Sequence, residues 1–193
     1  MNKAYITGRT FEKADFTTAG LATGEYENCS FNNCNFANAD LSGLVFSECT
    51  FTGCDMSLAK LAKTSLKDAR FKDCKLLGLR FENCSDFLFS VAFYGCNLNL
   101  STFFRKSLKK TRFVNCTVSE TDFTESNLSN AVFDQCDLTR AIFIHTNLEK
   151  ADFRTSFNYS IDPGINRMSK ARFSLAGVAG LLDKYDIEVD QEG

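Results

Sequence analysis

Apolar residues recur every five positions along most of this chain. The first part of the series is Ile6, Phe11, Phe16, Leu21, Tyr26, Phe31, Phe36, Leu41, Phe46, Phe51, Met56, Leu61, Leu66, Phe71, Leu76 and Phe81. A small residue usually lies two positions before each of these centres. A period of five matches neither the 3.6-residue α-helical turn nor the alternation of a simple β-strand. We therefore expect each pentapeptide to form one side of a square coil, with the centre and the small residue facing inward.

Phenylalanine also repeats on a longer period of twenty residues. One column is Phe11, Phe31, Phe51, Phe71, Phe93, Phe113, Phe133, Phe153 and Phe173, and a second is Phe103, Phe123 and Phe143. Such fixed-period self-similarity is typical of solenoids. Residues twenty apart should stack at the inter-strand spacing of about 4.8 Å, so that one phenylalanine lies over the next. The sequence predicts an all-β solenoid, a quadrilateral parallel β-helix of about seven coils, over residues 1–173.

The corners of the coil need residues other than glycine and proline, because the chain has 11 glycines and one proline. The outward position before a centre is often Asp or Asn, whose side chains bond to local backbone and tolerate turn geometry. We expect corners at Asp15, Asn35, Asp40, Asp55, Asn97, Asp122, Asn127, Asp137, Asn147 and Asp152.

The repeat is interrupted near residues 82–88, where the centres jump from Phe81 to Leu88 and the chain gains two residues. This insertion is either tolerated at a corner or a contact site for a partner. Larger residues replace the inward small residue at Arg9, Leu44, Leu79 and Lys106. Those positions require local widening of the coil or a side chain that reaches outward.

The five-residue period ends near the C-terminus. Residues 155–170 hold the only proline and are predicted to form a loop, whereas residues 174–193 form a cap or a dimerisation element. Ser174 is a suitable N-cap for a short α-helix at about 175–185, and residues 187–189 are a candidate final strand. The apolar stripe of that helix, a set of possible homodimer contacts, is Leu175, Val178, Leu181, Leu182 and Tyr185.

The nine cysteines follow the repeat. Six of them form one column, Cys34, Cys54, Cys74, Cys96, Cys116 and Cys136. Zinc sites favour clustered pairs such as C-x2-C, whereas the spacing here is that of the solenoid. Cysteine packs as a small buried hydrophobe, so we expect reduced core thiols rather than metal ligands or disulfides.

The sequence offers little catalytic chemistry. Its single histidine, His145, lies at an outward position, and no nucleophile–base pair or phosphate-binding loop accompanies it. We therefore expect no enzyme activity, no metal and no cofactor. No apolar run approaches the roughly 18–20 residues of a membrane span, and residues 1–10 lack the features of a secretory signal. These features favour a soluble, cytoplasmic protein.

Three runs, residues 39–43, 136–140 and 151–155, resemble the pentapeptide repeat, whose usual statement is A(D/N)LXX. This resemblance implies a right-handed quadrilateral β-helix. Residues 161–167, with the apolar end that follows, resemble the C-terminal end of the bacterial microcin-immunity and quinolone-resistance branch of the family. That likeness implies a rod-shaped homodimer joined at its C-terminal ends, which mimics B-DNA and binds DNA gyrase or topoisomerase IV.

Three functional hypotheses follow. In the first, the chain binds and protects a type II topoisomerase through an acidic surface, with Glu120, Asp122, Glu125, Asp134 and Asp137 as candidate residues. In the second, it is an interaction scaffold for another protein. In the third, basic residues at 60–80 and 105–112 bind nucleic acid directly. The third ranks last because the phenylalanines point inward and leave no aromatic side chains on which bases could stack.

Overall fold

The computed structural model describes residues 4–188, which wind into an all-β solenoid of about seven turns. The predicted fold class is confirmed. The first strands are β1 (Ala4–Thr7), β2 (Thr10–Glu12), β3 (Gly24–Glu27), β4 (Ser30–Asn32), β5 (Val45–Ser47) and β6 (Thr50–Thr52). The later strands are β7 (Ser65–Lys67), β8 (Ala69–Lys72), β9 (Val91–Tyr94), β10 (Arg112–Val114) and β11 (Val132–Asp134).

The coil has four walls, each named here by its inward centres. The first wall has Tyr26, Phe46, Leu66, Leu108, Leu128 and Leu148, and the second has the column from Phe11 to Phe173. The third wall has Phe36, Met56, Leu76, Leu98, Val118 and Leu138, with the cysteine column two residues before them. The fourth wall has Leu41, Leu61, Phe81, Phe103, Phe123 and Phe143.

Two parallel sheets form the first two walls. The first wall contains the order β1-β3-β5-β7, and the second contains β11-β10-β9-β8-β6-β4-β2. The third and fourth walls are joined mainly by isolated parallel bridges, such as Asp15 to Asn35 and Asp40 to Lys60. Paired residues lie twenty apart on every wall, except across the insertion, where Phe71 pairs with Phe93. The insertion therefore lengthens one coil and leaves the stacking intact.

The corners are built from two kinds of residue. All ten Asp and Asn residues predicted as corner formers accept a hydrogen bond from the backbone N–H two residues later, at 2.8–3.2 Å. That prediction is confirmed. Residues two after a centre add a left-handed backbone, as at Asn38, Leu58 and Leu100. The N–H of each then donates to a carbonyl of the following coil, which offsets part of the cost of positive φ.

Stacked rings fill the second wall. The ring centroids of Phe113 and Phe133 are 4.6 Å apart with nearly parallel planes, and those of Phe51 and Phe71 are 5.0 Å apart. Rings of the fourth wall meet this column edge to face, as Phe123 does with Phe113 at 6.0 Å. Both arrangements are favourable for aromatic quadrupoles. The interior of the described coils is therefore a packed aromatic column.

The inward residue of the insertion differs from the one expected from the sequence. Leu88 is exposed, and Phe89 packs against the core instead. Lys106 occupies the inward small position of the same wall one coil later and is 2% exposed. Its Nζ donates to the Cys84 carbonyl at 2.5 Å and to Asp86 Oδ1 at 2.6 Å, and it lies 5.0 Å from the Phe89 ring centroid. The lysine therefore turns inward and ties the insertion to the next coil, because these three partners replace its water.

The other oversized residues behave differently from one another. Leu44 and Leu79 are buried within the coil. Arg9 is exposed and its guanidinium lies 5.4 Å from the Phe11 ring centroid, so its side chain reaches outward and packs beside that ring.

The predicted C-terminal α-helix is wrong. This segment forms two short 3-10 helices, Val178–Leu181 and Asp183–Tyr185. A third 3-10 helix, Phe81–Asn83, lies at the insertion, and residues 4–188 contain no α-helix. Gly177 and Gly180 explain the difference, since each costs about 1 kcal/mol in an α-helix relative to alanine. Both also lie against Tyr159: a Cβ on Gly180 would be 2.0 Å from the Tyr159 carbonyl oxygen. Of the candidate final strand, Ile187 and Glu188 are not in a strand, and Val189 is outside the described residues.

We expect Phe113→Ala to destabilise the protein by about 3–5 kcal/mol, because it opens a cavity between two stacked rings. Thr17→Ala, at an exposed outward position, should change stability by less than about 0.5 kcal/mol. Urea unfolding of both variants measures the difference. Equal losses at the two positions would contradict the inward and outward assignment.

Candidate functional site

The interior of the coil is filled mainly by hydrophobic side chains, so charged groups lie on the outer walls. His145 is exposed at a corner of the fourth wall. Among residues 4–188, no group of three or more His, Cys, Asp or Glu side chains is arranged to hold a metal ion. No helix in that range is long and apolar enough to cross a bilayer. Candidate sites must therefore be sought among the outward side chains.

The nine cysteines are free thiols, and all are buried. Several of them donate weak hydrogen bonds to carbonyls of the preceding coil, as Cys54 does to Phe31 at 3.3 Å and Cys136 to Phe113 at 3.4 Å. Burial raises the pKa of the Cys49 and Cys84 thiols to about 12. Thiols held neutral in this way pack the core and are poor nucleophiles.

We expect these thiols to make the fold sensitive to alkali. In the unfolded chain a thiol ionises near pH 8.5, so the stability due to a neutral buried thiol is complete below that pH and is lost as the pH rises toward 12. Unfolding free energies at about pH 7 and about pH 10 should differ by roughly 1–2 kcal/mol for each thiol whose pKa is raised in this way, such as Cys49 and Cys84.

Cys49→Ala is the matched variant, because the same column already holds Ala69 and Ala131. It should lose less stability at alkaline pH than the parent. Rapid reaction of the native protein with a thiol reagent at neutral pH would contradict the buried assignment.

The five predicted acidic candidates lie on three different walls and have partners within the chain. Glu120 pairs with Arg140, and Glu125 pairs with Arg105 at 2.7 Å. The Arg105 hydrogen bond lowers the pKa of Glu125. The other three accept hydrogen bonds: Asp122 from the Thr124 N–H, Asp134 from the Thr155 hydroxyl, and Asp137 from Thr139 and Asn158. The structure therefore does not bring these five carboxylates together as one unpaired surface.

A different set of carboxylates forms no ion pair among the described residues. Glu25, Glu27 and Glu48 lie on the first wall near the N-terminal end and form no ion pair with residues 4–188. Glu25 and Glu27 are alternate residues of β3, so both point away from the core, and Glu27 accepts a hydrogen bond from the Tyr5 hydroxyl. This bond raises the pKa of Tyr5. We call these three residues the first-wall glutamates.

The basic residues of the middle coils surround the rod. Lys106 is buried and is not part of its surface, while Arg80 and Arg105 pair with Glu82 and Glu125. The other cations lie on all four walls: Lys67, Lys109 and Lys110 on the first; Arg70, Lys72 and Arg112 on the second; Lys75, which pairs with Asp55, on the third; and Lys60 and Lys63 on the fourth. The structure thus divides the predicted basic belt among four directions.

The possible dimer contacts separate into two groups. Leu181 packs against the core, and Leu182 is half-buried. Leu175, Val178 and Tyr185 are exposed, Leu175 by 91% of its surface. The exposed group therefore leaves apolar surface at the C-terminal end of the rod.

Comparisons with known proteins agree with this architecture. A family model described as "Pentapeptide repeat region" matches residues 24–85, and another described as "Pentapeptide repeats (8 copies)" matches residues 119–154. Together the matched residues make up about half of the chain. A comparison with curated proteins found no match.

Solved structures share the fold at low identity. Full-length QnrB1, described as a plasmid-mediated fluoroquinolone resistance protein, has a TM-score of 0.58 at 17% identity, over 94% of this chain and 99% of its own. HetL from the cyanobacterium Nostoc sp. strain PCC 7120, described as involved in heterocyst differentiation regulation, has a TM-score of 0.60 at 16% identity, over 88% and 87%. At such identities the likeness establishes the fold alone. With its repeat, its coil geometry and the matches of both family models, this chain belongs to the pentapeptide repeat family.

Proposed function

We propose that this protein is a non-catalytic, protein-binding rod whose partner is a type II DNA topoisomerase. A packed aromatic interior leaves binding to the outer walls. The C-terminal resemblance to the microcin-immunity and quinolone-resistance branch supports the choice of partner. The observation that carries the proposal is the presence of the unpaired first-wall glutamates on a stiff parallel sheet.

The charge of the first wall is complementary to that of a protein surface that binds DNA. A protein that binds DNA presents cations to phosphates, and unpaired carboxylates on a rigid support can occupy those cations. Alternate residues of a strand are about 6.6 Å apart and adjacent coils about 4.8 Å apart. Glu25, Glu27 and Glu48 therefore form a compact group of fixed charges that needs little ordering on binding.

We expect the protein at micromolar concentration to inhibit DNA supercoiling by gyrase, or to restore supercoiling in the presence of a fluoroquinolone. The combined variant Glu25→Gln, Glu27→Gln and Glu48→Gln should need about tenfold more protein for the same effect, which corresponds to about 1.4 kcal/mol.

The matched control is Glu120→Gln, Glu125→Gln and Glu149→Gln, which removes the same number of charges from carboxylates that form ion pairs with Arg140, Arg105 and Arg167. Its effect should be smaller. If neither inhibition nor protection occurs, or if both sets weaken the effect equally, the topoisomerase proposal fails. A rod that binds a different protein then remains.

The exposed C-terminal residues support self-association through that end of the rod. We expect light scattering to give the mass of a dimer for the parent chain. Leu175→Asp should give a monomer, because it places a charge in the apolar contact. Leu88→Asp, at another exposed leucine far from the end, should remain dimeric. A monomeric parent would refute this part of the proposal.

A further inference from the structure

An apolar groove crosses the corner between the third and fourth walls in the middle of the rod. Its volume is about 790 Å³, which lies within the range of about 300–1,000 Å³ typical of ligand pockets. Apolar residues form most of its surface, with charged residues at its border: Leu58, Leu77, Gly78, Leu100 and Phe104, then Arg80, Glu82, Thr102 and Asp122. We call this feature the corner groove.

The repeat itself produces the groove. Leu58, Gly78 and Leu100 occupy the same corner position in three successive coils, and all three have positive φ. Gly78 lacks a side chain, so a gap remains between two leucines that are 58% and 55% exposed. Leu58 leans over this gap, since a Cβ on Gly78 would be 2.7 Å from Leu58 Cδ2. Large apolar side chains at outward positions contribute nothing to the core, so their adjacency here is typical of a binding surface.

Glu82 adds a polar requirement to the same groove. Its side chain is 14% exposed, and its Oε1 accepts a hydrogen bond from Arg80 Nε at 2.8 Å. Its other oxygen, Oε2, is buried and accepts no hydrogen bond from residues 4–188. A buried carboxylate oxygen without a donor is costly. The groove therefore favours an occupant that supplies an N–H group.

The charges around the groove indicate that the N–H donor is cationic. Glu82 and Asp122 contribute two negative charges and Arg80 one positive charge, so the border carries a net negative charge. Asp122 accepts a hydrogen bond from the Thr124 N–H at one carboxylate oxygen, Oδ1. A guanidinium has several donors in one plane and can serve both carboxylates, which an ammonium does less well.

We propose that the corner groove binds an extended segment of a partner protein in which an arginine adjoins an aliphatic side chain. The aliphatic side chain fills the gap over Gly78 between Leu58 and Leu100, and the guanidinium donates to Glu82 Oε2. This inference rests on the proposed role as a protein-binding rod. It is independent of the topoisomerase, because the groove and the first-wall glutamates lie on different walls.

Selection of a randomised peptide display library on the full-length protein tests the proposal. Enriched peptides should carry an arginine beside a leucine, isoleucine or valine. Gly78→Asn should weaken their binding at least tenfold by filling the gap. Asparagine is accepted at this corner, since Asn38 holds the same position with φ of 59°. The matched control is Gly43→Asn, at a glycine of similar φ with nothing within 4 Å of a Cβ, and it should bind normally.

Glu82→Gln gives a second, chemically distinct readout. It keeps the shape of the side chain and removes its charge, so the preference for the arginine peptide over its glutamine analogue should disappear. Thermal melting must match that of the parent for each variant.

The proposal is overturned if no peptide is enriched, if the enriched peptides lack arginine, or if Gly78→Asn leaves binding unchanged. A change in oligomeric mass caused by Gly78→Asn would assign the groove to a second copy of the chain and would also overturn it. Because this test contains no gyrase, its failure is distinct from failure of the supercoiling assay.

Discussion

The structure depends on the in-register stacking of successive coils at the spacing of β-strands. Each residue has a neighbour twenty positions away in nearly the same environment, so a wall is a column of equivalent sites. An aromatic ring fits such a column because its neighbours at about 4.8 Å lie at stacking distance, as the pairs from Phe11 to Phe173 do. The same rule selects small inward residues two positions earlier, where thiols, hydroxyls and methyl groups alternate. Stability then accumulates coil by coil through nearest-neighbour contacts.

Features that obey the repeat could be predicted from the sequence. The fold class, the inward columns and the Asx corners all follow from the period of five. The failures occur where the repeat stops or changes. The helix expected at 175–185 was inferred from an apolar stripe, but Gly177 and Gly180 contact Tyr159 too closely for that arrangement. At the insertion, the choice between Leu88 and Phe89 as the inward residue depends on which groups surround Lys106. Long-range contacts of this kind have no local signature.

The candidate sites were harder to predict, although part of the missing signal lies in the sequence. Once the period is known, opposite charges twenty residues apart can be identified as pairs. Asp55 with Lys75, Arg105 with Glu125, and Glu120 with Arg140 all obey this spacing. The candidates between Glu120 and Asp137 were chosen without this pairing. Among the carboxylates that remain are the first-wall glutamates, which have no basic residue twenty positions away on either side. The corner groove could also be found in this way, as leucines at successive outward corner positions.

Outward positions separate binding from folding in this architecture. An exposed corner residue such as Leu58 or Leu100 makes few core contacts, so its identity is free to change with little effect on the coil. The left-handed backbone at those corners costs the fold about 1–2 kcal/mol for each non-glycine residue. Burial of Leu58 and Leu100 offsets little of that cost, since more than half of each side chain is exposed. Two leucines on either side of a glycine, above a carboxylate with an unused oxygen, are therefore poorly explained by folding alone. Their arrangement is better explained by contact with another molecule, because only binding would bury those side chains and provide the missing donor.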